Sequence, residues 1–305
     1  MNRKSNDKAK RQHWAPRSYL RHFATPESKD SNNPLVWIFS KDSGHPRLTS
    51  TSQVAAECFL YSPRLGDGTR LWEMEEELSD LEGLMAGIWP AIADQFVDLH
   101  GDQLIRQAIA LFVSTMYLRH PRRLLEIESV HAQLVELYNG LPKNESGNPQ
   151  IDEVECNGVI SRFDSSDWQE YKAAGREEKR RMFVDSLRQN AIHCAGILMK
   201  KRWSVVFAEA PLFITTDTPV AVCNSERAVF GLRTPGTVIS FPLSPTRVLM
   251  MDELHNQPKG QYYRLGVGGP APVNFTAWRN CERFMISSRS TDAVCAEIVA
   301  WTDRQ

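Results

Sequence analysis

The sequence predicts an α+β protein, with long helices in the middle of the chain packed against a mainly antiparallel or mixed C-terminal sheet. Three observations carry this. Between about residues 69 and 201, apolar side chains return every three or four positions, the spacing of helices with one buried face. After Lys201 the period falls to two, and short β-branched and aromatic runs alternate with Pro and Gly. Helical and strand patterns thus occupy separate stretches, as segregated layers require.

Taken in order, residues 1–12 are basic and lack an apolar anchor, so a disordered tail is expected there, ahead of one elaborated globular domain over residues 13–305. In the next stretch Tyr19, Leu20 and Phe23 share one helical face and read as docking groups. Leu35-Val-Trp-Ile-Phe-Ser-Lys is a strand followed by a Ser-Gly-His-Pro turn. Thr51–Tyr61 is ambiguous, with a short helix running into Cys58-Phe-Leu-Tyr as one reading. From Thr69 a helix is expected, with Glu73, Glu75, Glu76 and Glu77 near its start, where the helix dipole favours acids. Pro90 should kink or divide it.

Gln103–His120 is apolar around most of its circumference, Pro121 marks a break, and Leu124–Tyr138 carries a second helical period. Asn139–Pro149 is the clearest loop and the only candidate for a subdivision, near residues 139–150. A long helix fits Asp167–Lys201, with Gly175 and Gly196 against its continuity. Trp203–Ala208, Leu212–Cys223, Val238–Phe241, Arg247–Met251 and Phe284–Ser287 read as strands. Gly266–Pro272 reads as a turn, because Pro270 and Pro272 stand where a helix should begin. Asp292–Trp301 closes the chain as an amphipathic helix.

With 305 residues, 42% of them hydrophobic, the chain can bury a large core. Its net charge of −1 sets up no global attraction to nucleic acid or an anionic membrane, although basic residues concentrate at 3–22, 119–123, 176–181 and 200–202. The six cysteines include no Cys-x-x-Cys pair, which argues against a zinc ribbon or a thioredoxin-like motif and for buried free thiols in a reducing compartment. The basic N-terminus lacks the apolar run of a secretory signal, and no stretch approaches the ~18 apolar residues that span a bilayer. A soluble, cytoplasmic protein with no membrane partner is the expectation.

No phosphate-binding Gly-x-x-x-x-Gly-Lys loop, Gly-x-Ser-x-Gly elbow or His-Glu-x-x-His is present. What remains must assemble across the fold. Phe213-Ile-Thr-Thr-Asp-Thr-Pro-Val220 sets Thr215, Thr216 and Asp217 at the end of a strand. A carboxylate there can bind a divalent cation, act as a base or orient a histidine, and the hydroxyls can contact an oxyanion. The alternative is a turn in which Asp217 and Thr218 bond to backbone amides before Pro219.

His13 can be a metal ligand or proton shuttle, and Arg17 can grip phosphate or carboxylate with two hydrogen bonds. The alternative is a capping segment with a structural histidine. Glu82 lies near the apolar face of its helix and needs a partner if it is buried. Arg119 ends an apolar helix where a cation favours the dipole on any account. The Arg119–Arg123 cluster can contact nucleic-acid phosphate or form an exposed charged junction. His22 and His120 read as exposed residues on charged turns, and Glu75–Glu77 as solvated helix surface.

His13, Pro16, Tyr19, Leu20 and Phe23 form a His-x-x-Pro-x-x-aromatic-Leu-x-x-Phe pattern, and Phe213–Val220 contains a Thr-Thr-Asp-x-Pro-Val run. With Glu82, Arg119-x-Pro121, Phe241-Pro-Leu-Ser-Pro and Asn274, these landmarks resemble a bacterial family of uncharacterised proteins from residue 13 to about 290. Thr216 stands where that family more often has Ser, and Trp14 where another aromatic or an aliphatic residue is expected. The resemblance implies no substrate or cofactor.

Three functions follow as expectations. The first is a metal-dependent, nuclease-like hydrolase serving as a bacterial toxin or phage-defence effector. In it His13, Glu82 and Asp217 hold Mg²⁺ or Mn²⁺ and act as catalytic groups, while Arg17, Arg119, Thr215, Thr216 and Asn274 bind substrate. The second is a pocket that recognises a small anionic ligand or peptide without chemistry. The third is a structural or regulatory subunit. On the first reading Asp217→Asn leaves a folded, inactive protein. Convergence of His13, Glu82 and Asp217 in one cleft separates these readings: metal geometry favours the first, arginines without metal geometry favour the second, and separation of the three counts against both.

Overall fold

The switch of hydrophobic period coincides with the junction between the last long helix and the first strand of the main sheet. The computed structural model describes residues 10–150, 153–156, 159–162 and 165–304. The chain opens with β1 (Arg11–His13), α1 (Arg17–Leu20), β2 (Leu35–Ser40), β3 (Pro46–Ser50) and β4 (Ala56–Cys58). A helical run follows: α2 (Glu73–Asp94), α3 (Gln103–Leu118) and α4 (Arg122–Asn139). After β5 (Glu153–Cys156) and β6 (Val159–Arg162) come α5 (Trp168–Ala173) and α6 (Arg176–Lys200). The remainder is β7 (Arg202–Phe207), β8 (Thr215–Thr216), β9 (Ala221–Cys223), β10 (Val238–Ser244), β11 (Arg247–Asp252), β12 (Gln261–Arg264), α7 (Ala271–Asn280), β13 (Phe284–Ser287) and α8 (Thr291–Thr302).

The strands form a mixed sheet in the order β12-β7-β11-β10-β9, parallel only between β12 and β7. A second, antiparallel sheet runs β3-β2-β13-β8, and β1 pairs with β4, and β5 with β6, as two-stranded ribbons. The fold is therefore α+β, with helices packed on a mainly antiparallel set of strands. One buried cluster takes in Trp14 near the start, Ile92 on α2, Phe112 on α3, Leu187 on α6 and Phe241 on β10.

Tyr19 locks the N-terminal segment into that cluster. Its ring stacks on Phe241 at 5.4 Å and meets Trp89 edge-on at 5.5 Å between centroids. Its hydroxyl donates to the Pro242 carbonyl at 2.9 Å and bonds Thr215 Oγ1 at 2.7 Å. The Pro242 carbonyl lies beyond the β9 pairing, which covers only Val238–Ser240, and next to the β10–β11 register shift between Pro242 and Ser244. Trp89 uses the same break, donating from Nε1 to the Leu243 carbonyl at 3.0 Å. This irregular part of β10 thus ties α1 and α2 to the main sheet.

Several expectations change. Arg11 and Gln12, expected in a disordered tail, belong to β1. Gln12 is fully buried, donating to Ser62 Oγ at 2.6 Å and accepting from the Tyr61 amide at 2.7 Å. A polar side chain with both ends satisfied can anchor a strand that looks tail-like in composition. Residues 1–9 of that tail lie outside the described residues. Thr51–Gln53 is a single 3₁₀ turn before β4, not a helix.

Helix α2 is not divided at Pro90. Pro90 and Ala86 are both exposed, so water can satisfy the carbonyl that loses its bond. The Asp167–Lys201 helix breaks at Gly175 but runs on through Gly196. Leu212–Cys223 yields only the short strands β8 and β9, with Asp217–Val220 as the connection between them. The Gly266–Pro272 turn leads directly into α7, whose first residues are Ala271 and Pro272. First-turn amides have no helical acceptor, so proline starts a helix as readily as it ends one.

Candidate functional site

Along α2, Glu75, Ser79, Glu82, Gly83 and Ala86 line one face and form a wall of a cleft of about 440 Å³. The facing residues come from β1 and the segment after it: Arg11, His13, Arg17 and Ser18. Arg119, which caps the C-terminus of α3, also lines it.

Arg119 is buried and fully engaged. Nη1 pairs with Glu82 Oε1 at 2.9 Å, Nη2 donates to the His13 carbonyl at 2.5 Å, and the Tyr61 hydroxyl donates to the Arg119 carbonyl at 2.6 Å. One guanidinium therefore connects α2, α3 and β1. Its role is to hold the cleft walls, and Glu82 is its counter-charge.

Arg11 donates to Gln53, from Nη1 to Oε1 at 2.8 Å and from Nη2 to the carbonyl at 3.2 Å, and the remaining polar groups are less committed. The proton of His13 sits on Nε2, which faces the Ser52 carbonyl at 3.3 Å, so Nδ1 keeps a free lone pair. Burial and the nearby Arg17, Arg11 and Arg119 lower its pKa to about 4, against the pull of the Ser52 bond, and the ring is neutral at pH 7. Burial raises Glu75 to about 7, helped by Glu82 and opposed by Arg119. Neither the Glu75 carboxyl nor the exposed Arg17 guanidinium has a hydrogen-bond or ion-pair partner among the described residues.

Asp217 lies elsewhere, at the turn that follows β8. Its amide donates to the Phe284 carbonyl at 3.1 Å, Oδ1 accepts from the Glu282 amide at 3.2 Å, and Oδ2 accepts from the Arg283 amide at 2.9 Å. His120, expected to be exposed, is buried with Nε2 at 3.5 Å from Asp217 Oδ2. Its Nδ1 accepts from the Arg122 amide at 3.0 Å, so the proton faces the carboxylate and no basic nitrogen is left over. Trp14 packs edge-on against the ring at 5.4 Å.

The remaining predicted ligands belong to the framework around Asp217. Thr215 is bonded to Tyr19, and Thr216 Oγ1 accepts from the Thr218 amide at 3.1 Å. Asn274 accepts from the Ile214 amide at 3.1 Å and donates to the Leu212 carbonyl at 3.0 Å, fastening α7 to the segment before β8.

The structure thus brings together His13, Arg17, Glu82 and Arg119, and does not bring Asp217, Thr215, Thr216 or Asn274 to them. Among the described residues no group of three His, Cys, Asp or Glu is placed to hold a metal ion. The proposed His13–Glu82–Asp217 ligand set is therefore not assembled, because backbone amides take both Asp217 oxygens on the other side of the Arg119–His120 turn. Glu75, expected as solvated surface, is half-buried in the cleft, and Arg11 joins it. Glu75 sits seven residues before Glu82, two turns along the same helical face, and that spacing was the available signal.

The chain belongs to the family described as "Protein of unknown function (DUF4238)", whose sequence model matches residues 11–292. No curated protein and no solved structure matches it. No helix among the described residues is long and apolar enough to cross a membrane.

Proposed function

We propose that the cleft between α2 and the N-terminal segment recognises a small anionic ligand. The observation that carries this is Arg17: a guanidinium without a hydrogen-bond or ion-pair partner among the described residues, in a cleft whose other two arginines are already engaged, Arg11 with Gln53 and Arg119 with Glu82. A free arginine fork suits phosphate or carboxylate, and about 440 Å³ is within the range of small-molecule sites. Isothermal titration with inorganic phosphate, a mononucleotide and citrate tests it. At least one should bind the wild type, and Arg17→Ala should weaken binding by about tenfold or more, roughly 1.4 kcal/mol, with an unchanged melting temperature. Equal affinity in the variant, or no binding by the wild type, refutes the proposal.

A second reading is favoured by one pair of residues. A carboxyl that ionises near neutrality and a neutral imidazole with a free Nδ1 line the same cleft, as general acid–base chemistry requires. A nuclease-like hydrolase, of the kind a toxin or phage-defence effector employs, could act on a bound phosphoester through Glu75 and His13. Incubation with labelled RNA and DNA, with Mg²⁺ or Mn²⁺ and with EDTA, decides between binding alone and turnover. Cleavage lost in both Glu75→Gln and His13→Gln supports chemistry at this cleft, and cleavage retained in both removes it.

A further inference from the structure

The groups around Glu75 show what kind of anion the cleft accommodates. They are Glu82 on its own helix, Arg11 and His13 on β1, Arg17 at the start of α1, Arg119 at the end of α3, and Tyr61 after β4. His13 and Tyr61 are neutral near pH 7, and Glu82 is the counter-ion of Arg119. If Glu75 is ionised, the lining carries three arginines against two carboxylates, a single positive charge. If Glu75 is protonated, three arginines face one carboxylate, and two positive charges remain.

The protonated state also changes the hydrogen-bonding character of the wall. An ionised carboxylate can only accept, and would repel an oxyanion brought to Arg17. A neutral carboxyl offers an O–H to it. Glu75 has no competing partner among the described residues, and it is half-buried where an ionised carboxylate is poorly solvated.

We infer that the cleft takes a phosphate monoester dianion together with one proton, with Glu75 as the neutral acid donating its O–H to a phosphoryl oxygen while Arg17 and Arg11 balance the two charges. This rests on the anion-binding reading of the cleft. Burial places the Glu75 equilibrium at about 7, which makes the proton uptake observable near neutral pH. His13, lowered to about 4, does not titrate in that window.

The test is calorimetry of the full chain with sulfate, a dianion that exchanges no proton near neutrality, and with inorganic phosphate, at pH 6 and pH 8. Each titration is run in two buffers of different ionisation enthalpy. Sulfate should bind about tenfold more weakly at pH 8 than at pH 6, with nearly one proton taken up per sulfate at the higher pH. Glu75→Gln, checked for a melting temperature at pH 6 no lower than that of the wild type, should bind sulfate with the same affinity at both pH values and take up no proton. A pH-independent wild type, or a pH dependence that survives in Glu75→Gln, overturns the inference and leaves an anion-binding cleft. Failure of sulfate and phosphate to bind the wild type overturns this inference, and failure of the mononucleotide and citrate as well overturns the proposed function with it.

Discussion

Two clusters of carboxylate, histidine and arginine lie on either side of the Arg119–His120 turn, and they differ in how many hydrogen-bonding valences remain open. Around Asp217 both oxygens of the acid and the basic nitrogen of the imidazole accept from backbone amides, although the buried His120 Nε2–H, 3.5 Å from Asp217 Oδ2, makes no hydrogen bond. In the cleft, Arg17, Glu75 and Nδ1 of His13 have no partner among the described residues. Burial of a polar group is tolerated when its bonds are made within the chain. A group left unsatisfied in a concave site is available to a ligand. The comparison therefore separates acceptors already used by the backbone from groups still open to a ligand, although both clusters contain the same residue types.

The largest expected effect that tests this contrast is at the group shared by both sides. Arg119→Ala removes the partner of Glu82 and the donor to the His13 carbonyl, and leaves a void beside Tyr61. Breaking a buried charge network in this way costs on the order of 3–5 kcal/mol. Urea unfolding should show that loss, with the cleft walls no longer held. A loss below about 1 kcal/mol would mean that the pair is effectively solvent-exposed and that Arg119 does not organise the cleft.

Asp217→Asn comes next. Sequence reasoning anticipates a folded, inactive protein, on the ground that an amide keeps shape and hydrogen bonding. The hydrogen bonds argue for a different outcome, because both oxygens accept and the Asn amide nitrogen would face a backbone N–H. A destabilisation of about 2 kcal/mol is expected, with sulfate affinity of the remaining folded protein close to that of the wild type. An unchanged melting temperature combined with lost binding would restore Asp217 to the site.

Much of the architecture was legible because it depends on period. The helices at Gln103–Leu118 and Arg122–Asn139 and the strands around Trp203, Val248 and Met285 follow directly from apolar spacing. Features that depend on pairing across the chain were not legible. Gln12 in β1 looks like part of a tail until Ser62 and the Tyr61 amide are placed against it. Pro242 looks like a strand end until the bulge and the Tyr19 hydroxyl are seen together. For the cleft, His13, Arg17, Glu82 and Arg119 could be named from sequence, whereas the separation of Asp217 from them could not. Local sequence cannot show that the amides of Glu282 and Arg283 occupy its oxygens. Glu75 was hidden among four acids near a helix start, a composition that reads as surface.

The smallest effect concerns Glu75 and gives the comparison its sign. Its folded-state pKa, about 7, lies above the ordinary value of 4.5 because the carboxyl is half-buried. The folded protein thus holds this proton more tightly than the unfolded chain. The resulting contribution to stability is fully present below pH 4.5 and is lost as pH rises through about 7. Glu75→Gln, which stays neutral, should match the wild type at low pH and be the more stable protein above neutrality. Solvent screening at a half-buried position limits the gain to about 1 kcal/mol. Thermal melts of both proteins from pH 4 to pH 9 should therefore run together at the acid end, begin to separate above pH 4.5 and be fully separated above about pH 7, with the variant higher. Asp217→Asn should show no such crossover, since it is expected to lower stability at neutral pH. If Glu75→Gln is instead destabilising at pH 8, Glu75 has a partner that stabilises its ionised form, and the open valence assigned to it does not exist.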